Sequence, residues 1–247
     1  RNIKAAKAGL GDPRQPIGIF LLVGPSGVGK TETGLAVADL LFGGERFVTT
    51  VNMSEFQEGH TVSRLIGSPP GYVGFGEGGI LTEAVRQRPY CVVLIDEVEK
   101  AHADVINLFY QVFDKGTLAD GEGRNIDFKN TILFLTSNLA ADIVTGLCQA
   151  QDKPSAEKLT AAVRSVLSKH FKPALLARMT IVPYLTISPS YMEEIVRLKL
   201  GNLAQRLAQT NKMKLGYSPG VVSQIAGRCT EVETGARNID HILRGSI

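Results

Sequence analysis

Ile19-Phe20-Leu21-Leu22-Val23 runs directly into Gly24-Pro25-Ser26-Gly27-Val28-Gly29-Lys30-Thr31. An unbroken run of apolar, β-prone residues is what a strand buried on both faces needs, as in a parallel sheet covered by helices. The glycine-rich stretch after it fits G-x-x-x-x-G-K-[ST] at every position, and beyond Lys30 polar and apolar residues alternate at helical spacing. Strand, glycine loop and helix therefore follow in the order that makes a phosphate cradle. The glycines let backbone N–H groups curl around phosphate oxygens, and the helix N-terminus adds partial positive charge. Lys30 would reach the β- and γ-phosphates, and the Thr31 hydroxyl is a ligand for Mg²⁺. The expectation is a chain that handles a nucleotide.

With 247 residues, 44% of them hydrophobic, the chain can bury a large core, and one large plus one small folding unit are expected. The net charge is only +3 and like charges do not cluster. That excludes the basic arm of a nucleic-acid binder and a membrane-surface patch, so neither nucleic acid nor membrane is expected as a partner. Cys91, Cys148 and Cys229 are isolated and form no C-x-x-C pair, which points to reduced thiols in a cytosolic protein. The apolar run from Ile17 to Val23 is far too short to span a bilayer. Arg1, at the head of a basic and helix-prone segment, leads to the expectation of a piece of a longer polypeptide.

Candidate strands recur at Ile19–Val23, Phe47–Asn52, Cys91–Ile95, Thr131–Thr136 and Thr180–Tyr184, separated by helical stretches. This alternation predicts an α/β fold with a five-stranded parallel sheet and flanking helices. Val105, Leu108, Phe109 and Val112 mark the buried face of the helix after the third strand. The polar stretch 150–158 reads as a surface loop. After Tyr184 the strand signals stop. Ser188-Pro189 is a cap followed by a first-turn proline, and Met192, Ile195, Val196, Leu200, Leu203 and Leu207 line one helical face. A second start lies at Ser218-Pro219. Residues 1–186 are therefore expected to form the large α/β domain and 187–247 a small helical domain that ends short.

The third strand delivers Asp96-Glu97 to the edge where the phosphate loop lies. Asp96 is suited to bind Mg²⁺ indirectly, and Glu97 to act as the base that orients and deprotonates an attacking water. Asn138, after the fourth strand, could hold that water, although an asparagine there is more often a turn residue. The only Asn-Lys pair, Asn211-Lys212, lacks the aspartate of a guanine-selective N-K-x-D element, so ATP is preferred over GTP. Between the second and third strands, 67–79 is crowded with glycine and carries Tyr72 and Phe75. Mobility together with a broad aromatic surface suits a loop that grips a passing chain. An ordinary surface turn is the plainer alternative.

With these residues in hand, the chain resembles the AAA+ ATPases, a P-loop NTPase family, and specifically the second ATPase module of the Clp/heat-shock disaggregase class. Gly71-Tyr72-Val73-Gly74 is similar to that class's substrate-gripping pore loop, with Tyr72 and Val73 as the gripping pair. Asn52-Met53-Ser54-Glu55-Phe56 and Asp96-Glu97-Val98-Glu99-Lys100-Ala101-His102 are similar to its other signatures. Glu55-Phe56-Gln57-Glu58, Phe113-Asp114-Lys115-Gly116, Asp120-Gly121-Glu122-Gly123-Arg124 and Cys229-Thr230-Glu231-Val232-Glu233 look most like the ClpV branch, which serves bacterial type VI secretion, with the ClpB branch next. The resemblance implies a cytoplasmic bacterial homo-hexamer that consumes ATP with Mg²⁺. Its substrate would be a protein, the contracted secretion sheath if ClpV-like.

The resemblance also assigns roles that spacing cannot. Arg178 would be the arginine finger that reaches a neighbouring subunit's ATP, Arg237 would contact the γ-phosphate from its own small domain, and Ile17 and Gly18 would lie against adenine. Thr145-Gly146-Leu147 only partly imitates the loop of members that feed the ClpP protease, so no ClpP-type partner is expected. A non-hydrolysing nucleotide-dependent scaffold and a DNA-remodelling ATPase remain as rivals. Phosphate release and stimulation by DNA separate them.

Overall fold

The computed structural model describes residue 3 and residues 11–149, 155–230 and 235–246. The strands among them are β1 (Gly18–Val23), β2 (Val48–Asn52), β3 (Val92–Asp96), β4 (Thr117–Ala119), β5 (Asn125–Asp127), β6 (Ile132–Ser137) and β7 (Thr180–Pro183). Five of them make one sheet in the order β2-β3-β6-β1-β7, and every neighbouring pair in it is parallel. The strands expected from sequence are all present, each end within one residue of its expected place.

Burial on both faces explains the unbroken apolar runs. Along β1, Leu21 and Val23 enter one core with Val93, Ile95, Leu133 and Phe109, while Phe20 and Leu22 enter another with Leu94, Ile132, Phe134 and Ala38. Adjacent side chains on a strand point to opposite faces, so a doubly covered strand has no position for a polar residue. Phe20 stacks on Phe134 with ring centroids 5.3 Å apart.

The covering helices are α1 (Lys30–Phe42), α2 (Val62–Ile66), α3 (Ile80–Gln87), α4 (Ala103–Lys115), α5 (Ala141–Gln149), α6 (Ala156–His170) and α7 (Pro173–Leu176). In α4 the expected stripe is buried at Val105, Phe109 and Val112, joined by Phe113, with Leu108 half-buried against the same core. Of the expected polar loop, 150–154 lie outside the described residues. Ser155 already caps α6, its side chain accepting from the Lys158 N–H, so the tail of that expected loop is helix.

Beyond β7 come α8 (Pro189–Asn211), α9 (Pro219–Thr230) and α10 (Arg237–Ser246). The Ser188 side chain accepts from the Tyr191 N–H ahead of Pro189, the cap read from the sequence. Met192, Val196 and Leu200 are buried against Val222, Ile225, Cys229 and Ile239 in a separate core. Leu203 and Leu207, expected on the same stripe, are only half-buried. The Cys91 and Cys229 thiols are free and buried. Burial pushes Cys91 up to about 11, so it stays a protonated, inert thiol.

Sequence reading missed the antiparallel hairpin of β4 and β5. Each strand is three residues long, too short for a periodicity. The signal was the turn chemistry at Asp120-Gly121. The Asp120 carboxylate accepts from the N–H groups of Glu122 and Arg124 and from Arg124 Nε, which folds the connection into a rigid knuckle.

Candidate active site

Strand register brings the candidate residues together. β1 and β6 run side by side from Gly18–Ile132 to Val23–Ser137, and β3 accompanies β6 to the Ile95–Leu135 pair. The chain therefore leaves all three strands at one edge, with the phosphate loop, Asp96-Glu97 and Asn138 as neighbours, in the crevice where α/β sheets bind ligands. A cavity of about 530 Å³ opens there, lined by Lys30, Thr31, Asp96, Glu97, Asn138 and Arg237 together with Ser26, Gly27 and Gly29 of the loop.

Gly29 caps α1 at φ 94°, in the left-handed region, where any residue with a Cβ would be strained. α1 consequently starts without a side-chain cap, and its first N–H groups need an outside acceptor. Lys30 is buried in the loop's own fold. Its ammonium donates to the carbonyls of Gly24 (2.6 Å) and Pro25 (2.7 Å) and to Asn138 Oδ1 (2.9 Å). Burial pushes its pKa down to about 8; Glu99 pulls it back up, Arg237 adds to the depression, and Asp96 and Glu97 oppose it.

A lysine on the point of deprotonating has a measurable consequence. An anion bound to Lys30 raises its pKa, so binding takes up a proton wherever free Lys30 has lost one. Nucleotide affinity should therefore hold up to about pH 8 and then fall by up to about tenfold per pH unit. Calorimetric titrations between pH 7 and 9.5 in buffers of different ionisation heat read both effects. A flat profile would place Lys30 back in the ordinary range.

At the end of β3, Thr136 Oγ1 donates to Asp96 Oδ1 and accepts from the Glu97 N–H at 3.1 Å. One hydroxyl on the neighbouring strand thus fixes both acids. Glu97 has φ 55° and ψ 47°, a left-handed conformation costing about 1–2 kcal/mol for a residue with a side chain. The chain holds it there, as strained residues at sites are held, by the surrounding bonds. Glu97 Oε2 accepts from Lys100 Nζ at 2.8 Å. Glu99 turns inward: Oε1 accepts from the Asn138 N–H at 3.0 Å, and Oε2 is buried with no hydrogen-bond partner among the described residues.

The helical region closes the cavity from the other side. The Ala236 N–H donates to the Gly27 carbonyl at 3.2 Å, and Arg237 Nη1 donates to Ser26 Oγ at 3.3 Å. A cationic residue from α10 thus stands over the phosphate loop of the same chain.

With this geometry established, the similarities to known proteins have a clear meaning. A family model described as "AAA domain (Cdc48 subfamily)" matches residues 15–182. A second, described as the C-terminal, D2-small domain of ClpB protein, matches residues 187–247. The chain belongs to the AAA family, in its ClpB/ClpV class. It is 54% identical over its whole length to a chaperone protein ClpB of Yersinia enterocolitica, of which it spans 28%. Identity is 52% to the AAA+ ATPase ClpV1 of Pseudomonas aeruginosa, again 28% of that protein, and 42–45% to six further ClpB proteins. The solved structure titled "Closed State CryoEM Reconstruction of Hsp104:ATPyS and FITC casein" superposes with TM-score 0.88 at 35% identity, over 99% of this chain and 42% of that one. The chain is thus about a quarter of the length of the curated relatives it matches, and it corresponds to the second ATPase module of the class. Membership of this family implies that the chain binds a nucleotide.

Other candidates lie away from this AAA cavity. Arg178 follows α7 and binds Asp114 and the Ala174 carbonyl. Tyr72 is 70% exposed and Val73 fully exposed at a loop tip. The loop is less free than its glycines suggest: Tyr72 N–H bonds Pro69 O, Phe75 N–H bonds Tyr72 O, and Gly67 bridges Gly78 at its base. That base is tied to the hairpin by the Gly121 N–H on Ile66 O, and a Cβ at Gly121 would collide with Gly67. Ile17 and Gly18, expected at adenine, do not line the cavity. Gly18 opens β1 and Ile17 precedes it, so the length of that six-residue strand, at roughly 3.3 Å per residue, lies between them and the phosphate loop.

No helix among the described residues is long and apolar enough to cross a membrane. Sequence reading missed Thr136, Glu99 and the α8 residues Lys199 and Asn202, which also line the cavity or shape it. A hydroxyl near the end of an otherwise apolar strand was the available signal for Thr136; for the α8 residues there was none.

Proposed function

We propose that this chain is the ATP-hydrolysing module of a hexameric ring that pulls on protein substrates. The observation that carries the reading is the single cavity uniting Lys30, Thr31, Asp96, Glu97, Asn138 and Arg237. In this reading the backbone of residues 24–31 and Lys30 bind the nucleotide phosphates, and Glu97 takes the proton of the attacking water. Asn138 positions that water, and Arg237 neutralises charge at the γ-phosphate from the small helical domain. Arg178 does the same for a neighbouring subunit.

Mg²⁺ fits the residues present. The Thr31 hydroxyl and the second oxygen of Asp96 are hard oxygen donors at the cavity that accept no hydrogen bond from the described residues, as such an ion requires. Thr31 directly and Asp96 indirectly would hold the ion, which would supply positive charge to neutralise the nucleotide phosphates. Thr136 keeps the Asp96 carboxylate aimed for that task.

Coupling to a substrate is assigned to Tyr72 and Val73, whose loop hangs on α2 and the β4–β5 hairpin. The substrate is proposed to be the contracted type VI secretion sheath. Supporting this, identity to ClpV1 exceeds that to six ClpB proteins by at least seven points, 52% against at most 45%. The Yersinia ClpB at 54% supports a general disaggregase as the second reading.

A photo-crosslinker at Tyr72 of the full-length protein, offered either contracted sheath or a heat-unfolded protein, should capture substrate when ATP is bound. Capture of sheath supports the first reading, and capture of unfolded protein alone supports the second. No capture by rings that turn over ATP would refute the gripping role.

A further inference from the structure

Arg178 is more tightly held than a surface arginine needs to be. Its Nε and Nη2 donate side by side to the two oxygens of Asp114, the latter bond at 3.0 Å, and its Nη1 donates to the Ala174 carbonyl. The guanidinium carbon lies 5.9 Å from the centre of the Tyr110 ring. A guanidinium has five N–H donors; these bonds engage one on Nε, one on Nη1 and one on Nη2. One N–H is left on each terminal nitrogen, with no partner among the described residues. N–H groups held in a rigid plane are what an arginine presents to a phosphate.

The elements that carry the pair are themselves fixed. Asp114 follows the fully buried Phe113 on α4, and Arg178 follows Leu175 and Leu176, both 1% exposed on α7. The pair stays at the surface, with the Arg178 side chain 31% and the Asp114 side chain 41% exposed, and Arg178 does not line its own chain's cavity. Its unengaged donors are therefore available to a second molecule.

We propose that Asp114 is the positioning residue of Arg178: it locks the guanidinium so that one N–H on each terminal nitrogen faces the phosphate of a nucleotide held by a neighbouring copy of the chain. The inference rests on the reading of Arg178 as a finger and adds the residue that orients it. An arginine without that lock must lose its rotamer freedom when it docks, which lowers the rate by about tenfold to thirtyfold. Asp114 also offsets part of the guanidinium charge, and in this proposal orientation outweighs that loss.

The test is ATP turnover by the full-length protein carrying Asp114→Ala, Asp114→Asn, Arg178→Ala, or Arg178→Ala with Asp114→Ala. Both single Asp114 variants should lose about tenfold to thirtyfold in kcat with KM for ATP little changed, because the residues around the bound nucleotide are untouched. Adding Asp114→Ala to Arg178→Ala should cost nothing further, since Asp114 acts only through the arginine. Asp114→Asn is nearly isosteric and carries the test should the alanine variant fail to fold, with ring assembly checked by sedimentation. Unchanged or faster turnover in the Asp114 variants, or an equal loss in the Arg178→Ala background, overturns the proposal. Wild-type turnover by Arg178→Ala would instead sink the finger itself.

Discussion

Glu97→Gln is expected to lower ATP turnover of the full-length protein by about 10²–10⁴, the usual worth of a positioned general base, while ATP binding persists. The amide keeps the size of the side chain but cannot take a proton from water. Binding persists because, in the proposed reading, the phosphate contacts come from the 24–31 loop and Lys30. Folding should be untouched as well. The pair that the substitution breaks, Glu97 with Lys100, has side chains 25% and 46% exposed, and such a pair contributes no more than about 1 kcal/mol. Phosphate release measured beside calorimetric ATP binding separates the two effects. Undiminished turnover would remove Glu97 as the base.

Arg178→Ala is expected to cost more, about 10³–10⁵ in turnover, as loss of an arginine finger does. The geometry also says where that loss is felt. Bound to Asp114 and outside its own chain's cavity, Arg178 in the proposed role serves a nucleotide held by a neighbouring subunit. Mixing Arg178→Ala with Glu97→Gln therefore makes a decisive arrangement. In mixed rings an Arg178→Ala subunit keeps an intact cavity and can borrow the arginine of a Glu97→Gln neighbour, so turnover should recover although each variant alone is dead. If Arg178 acted within its own subunit, no mixed ring would contain a complete site, and the mixture would stay inactive.

Legibility from sequence followed the range of the interaction concerned. The phosphate loop, the doubly buried strands, the Ser188-Pro189 cap and the inward face of α4 each depend on neighbours within a few positions, and each was placed correctly. The β4–β5 hairpin escaped because its three-residue strands carry no period, although Asp120-Gly121 announced a turn. Thr136 escaped because a threonine suits any strand, and its role exists only where β6 lies beside β3. Glu99 was quoted within a motif and given no task, since only the folded turn shows it facing Asn138 and the field around Lys30. Ile17 and Gly18 are a different case. The resemblance placed them at adenine, whereas an extended strand holds them far from the phosphate loop and outside the cavity.

The strand–loop–helix course through Gly24–Thr31 was written into those residues, because backbone conformation, helix start and side-chain type there are consequences of local sterics and local composition. The order β2-β3-β6-β1-β7 is a different matter. It places Asp96, Thr136 and Asn138 beside a loop more than sixty positions away, and it sets Arg178 against Asp114 across 64 positions. Those meetings arise from which strands pair and which faces bury. Each is a sum over many weak contacts spread along the whole chain, and no short segment carries that sum.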